Sequence, residues 1–122
     1  MDTSGPQRIW QQLRDHALTY PDAWEDHPWD ESVVKVRKKI FVFLGTPEGA
    51  VLGCTVKLPD SSAYVLNEPW AEPSGYGLGR HGWVSMSFGA DDEVPVDLLL
   101  DAIDESYRAL APKTLVKALD AR

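Results

Sequence analysis

The chain has 122 residues, a length that suits one domain with one core, and we predict that residues 1–122 form a single domain. Its formal net charge of -7 excludes a surface that is basic throughout, as a protein that coats nucleic acid would have. No apolar run approaches the ~20 residues that a bilayer-spanning helix needs, and the only cysteine, Cys54, cannot form an internal disulfide. We therefore expect a cytoplasmic protein without membrane contact.

Apolar residues at helical spacing predict a first helix from about Pro6 to Leu18, with Ser4 as its cap. They are Ile9, Trp10, Leu13 and Ala17. Residues 22–31 follow Pro21, contain Pro28 and combine acidic side chains with tryptophans, and we interpret them as an irregular connector. His27 lies among these carboxylates, but the spacing matches no regular ligand set, so we expect no metal site.

A change from helical to alternating spacing predicts three strands in the next part of the chain. The first alternates from Val34 through Lys35 and Val36 to Arg37, the second covers Ile40 to Leu44, and the third runs from Ala50 to Leu58. A tight basic turn that contains Lys38 and Lys39 joins the first two strands. Residues 45–49 form the second turn, which gives a meander.

A glycine-rich loop precedes a fourth strand. A short helix is predicted from Asp60 or Ser61 to Leu66, followed by the polar, proline-rich residues 67–74. The loop then contains a formal G-x-G-x-x-G pattern, but a dinucleotide fingerprint opens a helix and this loop opens a strand, so we expect no nucleotide cofactor. The strand alternates over residues 83–88: Val84, Met86 and Phe88 face one side, and Trp83, Ser85 and Ser87 face the other.

The C-terminal part has the clearest helical pattern. After Pro95 one stripe carries Val96, Leu99, Leu100, Ile103, Tyr107 and Leu110, and a shorter helix follows Pro112. We expect an α+β fold in which a central antiparallel sheet of about four strands has the N- and C-terminal helices packed on one face. The predicted core joins Trp10, Leu13, Leu99, Leu100, Ile103 and Tyr107 to the side of the sheet that carries Val84, Met86 and Phe88.

Several short sequence motifs, in the order in which they occur along the chain, resemble those of the MmcQ/YjbR family. The motifs are Tyr20-Pro21, residues 25–29 (Glu-Asp-His-Pro-Trp), residues 36–44, Val56-Lys57-Leu58, Gly75-Tyr76, Arg80-His81-x-Trp83-Val84 and residues 103–107 (Ile-Asp-Glu-Ser-Tyr). The resemblance implies a CyaY-like α+β fold with a double-wing arrangement associated with DNA binding. This chain departs from the family at the first hairpin turn, where glycine is common and Arg37-Lys38-Lys39 stands here. We expect that departure to make the turn less tight and more basic.

Charge distribution supports DNA as the partner despite the acidic total. The candidate nucleic-acid-binding residues are Lys35, Arg37, Lys38, Lys39, Lys57, Arg80, His81 and Trp83. We expect the acidic residues 22–31 and 91–93 to lie too far from these cations to cancel them. One alternative is that these cations are solvent-facing charges of a half-exposed sheet. Another is a protein-interaction or chaperone-like adaptor that uses the same sheet face, because aromatic side chains are enriched in interfaces. The oligomeric state stays open.

An enzyme is the third class of function. Its candidates are His16, His27, His81 and Cys54, and none stands at a recognisable catalytic spacing. His81 is the best placed because it lies at a loop end, yet it has no nucleophile or carboxylate partner in the sequence. We therefore expect a domain without catalytic residues and without a cofactor.

Overall fold

The computed structural model describes residues 5–46, 51–75 and 77–122. The predicted cap at Ser4, most of the second turn and the predicted start of the third strand at Ala50 lie outside the described residues. The elements are α1 (Gly5–Ala17), β1 (Ala23–Asp26), β2 (Ser32–Val36), β3 (Lys39–Gly45), β4 (Leu52–Lys57), α2 (Ser62–Val65), β5 (Ala71–Pro73), β6 (Trp83–Phe88), α3 (Val96–Leu110) and α4 (Lys113–Asp120), with 3-10 turns at Pro28–Asp30 and Leu78–His81. Among the described residues, no helix has the length and apolar character to cross a bilayer.

The strands form one antiparallel sheet in the order β1-β2-β3-β4-β6-β5. The predicted α+β class and antiparallel sheet are confirmed, but the number of about four strands is wrong, since the residues that the structure describes form a sheet of six. The additional strands are the two edges. β1 lies inside the segment interpreted as an irregular connector, and β5 lies in the proline-rich residues before the glycine loop. An edge strand bonds on one side only, which is why Pro73 is tolerated in β5.

Apolar side chains of α1 and α3 form one cluster with residues of the sheet, and both helices contact β3 and β4. The predicted core residues Trp10, Leu13, Leu99, Ile103, Tyr107, Val84, Met86 and Phe88 are buried, as expected. The indole N–H of Trp10 also donates to the carbonyl oxygen of Leu44 at 2.9 Å. Leu100 was predicted to lie in the core but is only partly buried, because its neighbour Leu99 takes the fully buried position on α3.

A buried serine on α3 joins two central strands. Phe43 pairs with Thr55, so the antiparallel register brings Phe41 opposite Lys57. The backbone N–H of Lys57 donates to the hydroxyl oxygen of Ser106 at 3.0 Å, and that hydroxyl donates to the carbonyl oxygen of Phe41 at 2.6 Å. Ser106 has no solvent-exposed surface. Its side chain therefore bridges β3 and β4 at a place where the two strands would otherwise bond directly.

Two tyrosines form hydrogen bonds between helix α3 and the segment that follows α1. The hydroxyl of Tyr20 donates to a carboxylate oxygen of Asp104 at 2.8 Å, and the hydroxyl of Tyr107 donates to the carbonyl oxygen of Pro21 at 2.8 Å. The two rings lie 4.7 Å apart between centroids. Burial, with the hydrogen bond to Asp104, raises the pKa of Tyr20. This hydroxyl therefore stays protonated and acts as a structural donor.

A carboxylate links α1 to the first two strands. Arg14 on α1 contacts one oxygen of Glu25 at 2.9 Å, and the hydroxyl of Ser32 donates to the other oxygen. Partial burial raises the pKa of Glu25, but the hydrogen bonds from Ser32 and Arg14 outweigh it and hold the pKa below its ordinary value. The ionised form of Glu25 therefore stabilises the junction between α1, β1 and β2.

The β2–β3 hairpin closes through two residues, Arg37 and Lys38, because Val36 pairs with Lys39. The predicted tight basic turn is confirmed, and the expectation that the absence of glycine loosens it is wrong. Arg37 adopts a φ of 56°, in the left-handed region. Positive φ at the first turn residue is the pattern of a type II′ turn, which favours glycine there. The indole N–H of Trp24 donates to the Arg37 carbonyl at 2.8 Å and holds the turn against β1.

Candidate nucleic-acid interface

Strand direction brings most of the predicted site to one end of the sheet. β2 ends and β3 begins at the hairpin turn, and β4 ends where β6 begins, since Lys57 pairs with Trp83. The register between Phe43 and Thr55 places both junctions at the same end. We name this the basic end, and it carries Arg37, Lys38, Lys39, Lys57, Arg80 and His81. Helix α3 also finishes there, because Leu110 and Pro112 lie against the hairpin turn.

The opposite end of the sheet is acidic. β2 begins directly after Glu31, and β6 ends directly before the turn that carries the second acidic cluster. We name this the acidic end, and its exposed side chains are Asp30, Glu31, Asp91, Asp92 and Glu93. The formal charge of -7 is therefore distributed unevenly along the strand direction. Positive side chains gather at the end where the hairpin and the glycine loop meet.

One sheet face carries polar and aromatic side chains that alternate with core residues. We name it the outer face, defined by Phe43, Thr55, Lys57, Trp83 and Ser85. The Phe43 and Trp83 rings contact edge to face at 5.7 Å between centroids. A row of hydroxyls runs beside them: Thr55 donates to Ser85 at 3.1 Å, and Ser85 lies 2.9 Å from the hydroxyl of Ser74. The sequence prediction missed Phe43, Thr55 and Ser74, although alternation in β4 already placed Thr55 beside Lys57.

Two of the predicted cations are neutralised by the acidic segment. Lys35 contacts Asp26 at 2.7 Å, and Arg37 contacts Asp22 at 3.3 Å. The hydrogen bond from Lys35 is the main reason that the pKa of Asp26 lies below its ordinary value. The expectation that residues 22–31 lie too far away to cancel the cations is therefore wrong. The segment forms strand β1, which pairs directly with β2.

The remaining cations are divided between two surfaces. Within the described residues, Lys38, Lys39, Lys57 and Arg80 form no ion pair. Lys57 lies on the outer face beside Trp83. Lys39 pairs with the core residue Val36 and so points to the helix side, where it lines a groove of about 440 Å³ together with the end of α3. The predicted residues thus share one end of the sheet without forming one flat patch.

The side chains considered for catalysis lie apart from one another. Cys54 is buried in β4, and burial raises the pKa of its thiol to about 12, which leaves it unreactive in the folded chain. His16 on α1 lies 3.2 Å from the Tyr20 hydroxyl, and burial lowers its pKa. His27 contacts Glu25 at 3.2 Å, and His81 is exposed in a 3-10 turn. In the parts of the chain that the structure describes, no group of three His, Cys, Asp or Glu side chains is arranged around a metal position.

Comparison with known proteins supports the fold. The crystal structure of Deinococcus radiodurans protein DR2400, which has the family-model domain DUF419, matches with a TM-score of 0.72 at 21% identity, over 97% of this chain and 92% of that chain. A likeness at this identity shows a shared fold. No curated protein matches the chain significantly. The model of the YjbR family matches residues 18–109, which is most of the chain. The protein therefore belongs to the YjbR family.

Proposed function

We propose that this domain binds nucleic acid at the basic end of its sheet and carries out no reaction there. One observation carries the proposal: unpaired cations gather at one end of an acidic molecule. Phosphate groups attract Lys and Arg side chains regardless of base sequence. We place this activity in the cytoplasm, since the sole thiol is reduced and buried.

The length of the strands answers the part of the objection from net charge that concerns the acidic end. β4 has six residues and, at ~3.4 Å per residue, separates the basic from the acidic end by roughly 20 Å. Exposed charges are screened over about 8 Å at physiological ionic strength. Repulsion from the acidic end is therefore weak where a phosphate would meet Lys38 or Lys57. Attraction at the basic end is local and becomes weaker as salt is added.

The outer face favours single-stranded nucleic acid over a duplex. Trp83 is half-buried and held by Phe43, so one part of the indole is fixed while another remains accessible. A base can stack on an accessible indole, and Lys57 beside it can contact the adjoining phosphate. The hydroxyls of Thr55 and Ser85 add donors and acceptors on the same face. A duplex hides the faces of its bases in the stack, so it loses the contact with Trp83 and keeps the phosphate contacts.

The test is binding of labelled single- and double-stranded DNA, followed by fluorescence anisotropy over a salt series. Lys38→Gln and Lys57→Gln are each expected to reduce the slope of log affinity against log salt by about 0.7 for a single strand and about 0.9 for a duplex. Trp83→Ala is expected to weaken single-strand binding by ~1 to 3 kcal/mol and duplex binding much less. The matched control is Lys117→Gln, which removes the same charge from exposed α4 and should leave the slope unchanged. Absence of wild-type binding at low salt, where attraction is strongest, would overturn the proposal.

A protein-interaction adaptor is the second candidate function. Trp24 at the edge of the sheet is 44% exposed, with the Lys35 ammonium 5.0 Å from its ring centroid. Exposed tryptophan is common among the residues that dominate binding energy in interfaces. If DNA binding is absent, a partner that protects Trp24 from solvent, seen as a shift in tryptophan fluorescence that Trp24→Phe removes, supports this candidate instead.

A further inference from the structure

A groove of about 360 Å³ lies between α2 and α3, away from the outer face. Its floor is apolar and consists of Leu58, Val65 and Ala102, all of which are buried. Tyr64 forms one wall and is 71% exposed. An exposed tyrosine beside an apolar floor has the composition of an interface anchor site, because tyrosine combines a large apolar area with little side-chain entropy.

A side chain of α3 fixes one side of the groove. One carboxylate oxygen of Glu105 accepts hydrogen bonds from the backbone N–H groups of Asp60 and Ser61, at 2.9 and 3.0 Å. The other oxygen accepts the Ser61 hydroxyl at 2.6 Å. These bonds fix the start of α2 relative to α3. The groove therefore exists before a ligand arrives, which lowers the entropy cost of binding.

The rim of the groove is negatively charged. Asp101 lies one turn before Glu105 on α3 and, among the described residues, makes no hydrogen bond or ion pair. Asp60 is exposed on the adjoining surface and has no ion pair within the same residues. Arg108, which lines the adjoining surface with Asp60 and Asp101, is already engaged with Asp104 at 2.7 Å and with Asp120 at 2.8 Å. Negative potential at the rim therefore persists and disfavours a phosphate-bearing ligand.

We infer that the groove binds a basic segment of another protein, with one large apolar side chain on the floor and a Lys or Arg side chain against Asp101. The class of ligand follows from complementarity. The apolar floor binds an apolar side chain of the ligand, and the negatively charged rim attracts its positively charged side chains and repels negatively charged ones. Nucleic acid is excluded by the same rim. The inference is independent of DNA binding at the basic end, because it uses none of the cations there.

The test uses a display library of random short peptides selected against the wild-type domain. Selected peptides are expected to combine a large apolar residue with Arg or Lys and to shift the backbone amide signals of Tyr64, Leu98 and Ala102 in NMR spectra. Tyr64→Ala and Asp101→Lys should each weaken their binding by about 10-fold or more, as expected for an anchor and for a direct charge contact. Both positions are exposed, and unchanged circular dichroism confirms that the variants fold.

The matched control is Asp91→Lys, which changes the net charge by the same amount at the acidic end. Long-range attraction between the acidic domain and a basic peptide falls equally in Asp91→Lys and Asp101→Lys. A difference in peptide affinity between the two variants therefore reports a direct contact at the groove. Equal loss in the two variants overturns the inference, and so does selection of acidic peptides. If the same amide signals shift with protein concentration and no peptide is present, the occupant is a second copy of the chain, and the basic-peptide assignment is wrong.

Discussion

Substitution of Ser106 by alanine tests whether a side chain of α3 completes the pairing of β3 and β4. The hydroxyl accepts from the Lys57 amide and donates to the Phe41 carbonyl, and Ser106 has no exposed surface. Removal of the hydroxyl leaves one donor and one acceptor unpaired in the interior. Each buried polar group without a partner costs about 1–3 kcal/mol. We therefore expect Ser106→Ala to lower the free energy of unfolding by roughly 2–6 kcal/mol if the strands stay apart.

The assay is urea denaturation with linear extrapolation, combined with hydrogen exchange at the Lys57 amide. The midpoint should fall with little change in slope, and the Lys57 amide should exchange faster relative to amides elsewhere in β4. Ser87→Ala is the matched control, because Ser87 is exposed on β6 and its substitution should change stability by less than ~0.5 kcal/mol. Equal stability of the two variants, with the Lys57 amide still protected, would show that β3 and β4 close onto each other and that Ser106 is not needed.

Three further predictions follow from burial and ionisation. Leu99→Ala should destabilise the fold by ~2 to 5 kcal/mol and Leu100→Ala by clearly less, because only Leu99 is fully buried; equal shifts in thermal midpoint would contradict this. The folded-state pKa of Glu25 is lowered, so its contribution is present above its ordinary pKa of ~4.3 and is lost as the pH falls through the folded value. The stability difference between wild type and Glu25→Gln should therefore be larger at about pH 6 than at about pH 3 in urea titrations, and a pH-independent difference would refute the assigned role. Cys54 should resist a thiol reagent in the native protein and react after unfolding, since burial raises its pKa to about 12; rapid native labelling would contradict the buried assignment.

Patterns within single segments predicted the central elements well. The helices α1, α3 and α4 and the strands β2, β3, β4 and β6 each carry enough apolar side chains at helical or alternating spacing to indicate both type and orientation. The edge strands β1 and β5 have four and three residues and owe their extended form to pairing with a longer neighbour. A segment that short contains at most two periods of alternation, which is too few to distinguish a strand from a loop. Its structure is therefore decided by tertiary contacts that local sequence does not display.

The candidate site was predicted only in part for the same reason. The interpretation of residues 22–31 as a connector gives no basis for the pairing of Asp26 with Lys35 and of Asp22 with Arg37. The positive charge of Lys57 and its place beside Trp83 followed from alternation in two strands and were correctly assigned to one face. A count of charges along the sequence therefore overestimates the positive charge of a surface when an acidic strand pairs with the basic strand in the sheet.

Several residues of the motifs that resemble the family have structural roles in this chain. Tyr20 bonds to Asp104, Tyr107 bonds to the carbonyl of Pro21, and Ser106 bridges two strands. Glu105 holds the start of α2. These residues occupy contacts between α3 and the rest of the fold, so a change in any of them removes a contact that positions α3. Exposed side chains such as Lys38 and Asp101 can change without that consequence, since neither takes part in the buried network. Membership of the family therefore transfers the fold, whereas the two ligands that we propose depend on the exposed charges at the basic end and at the rim of the α2–α3 groove.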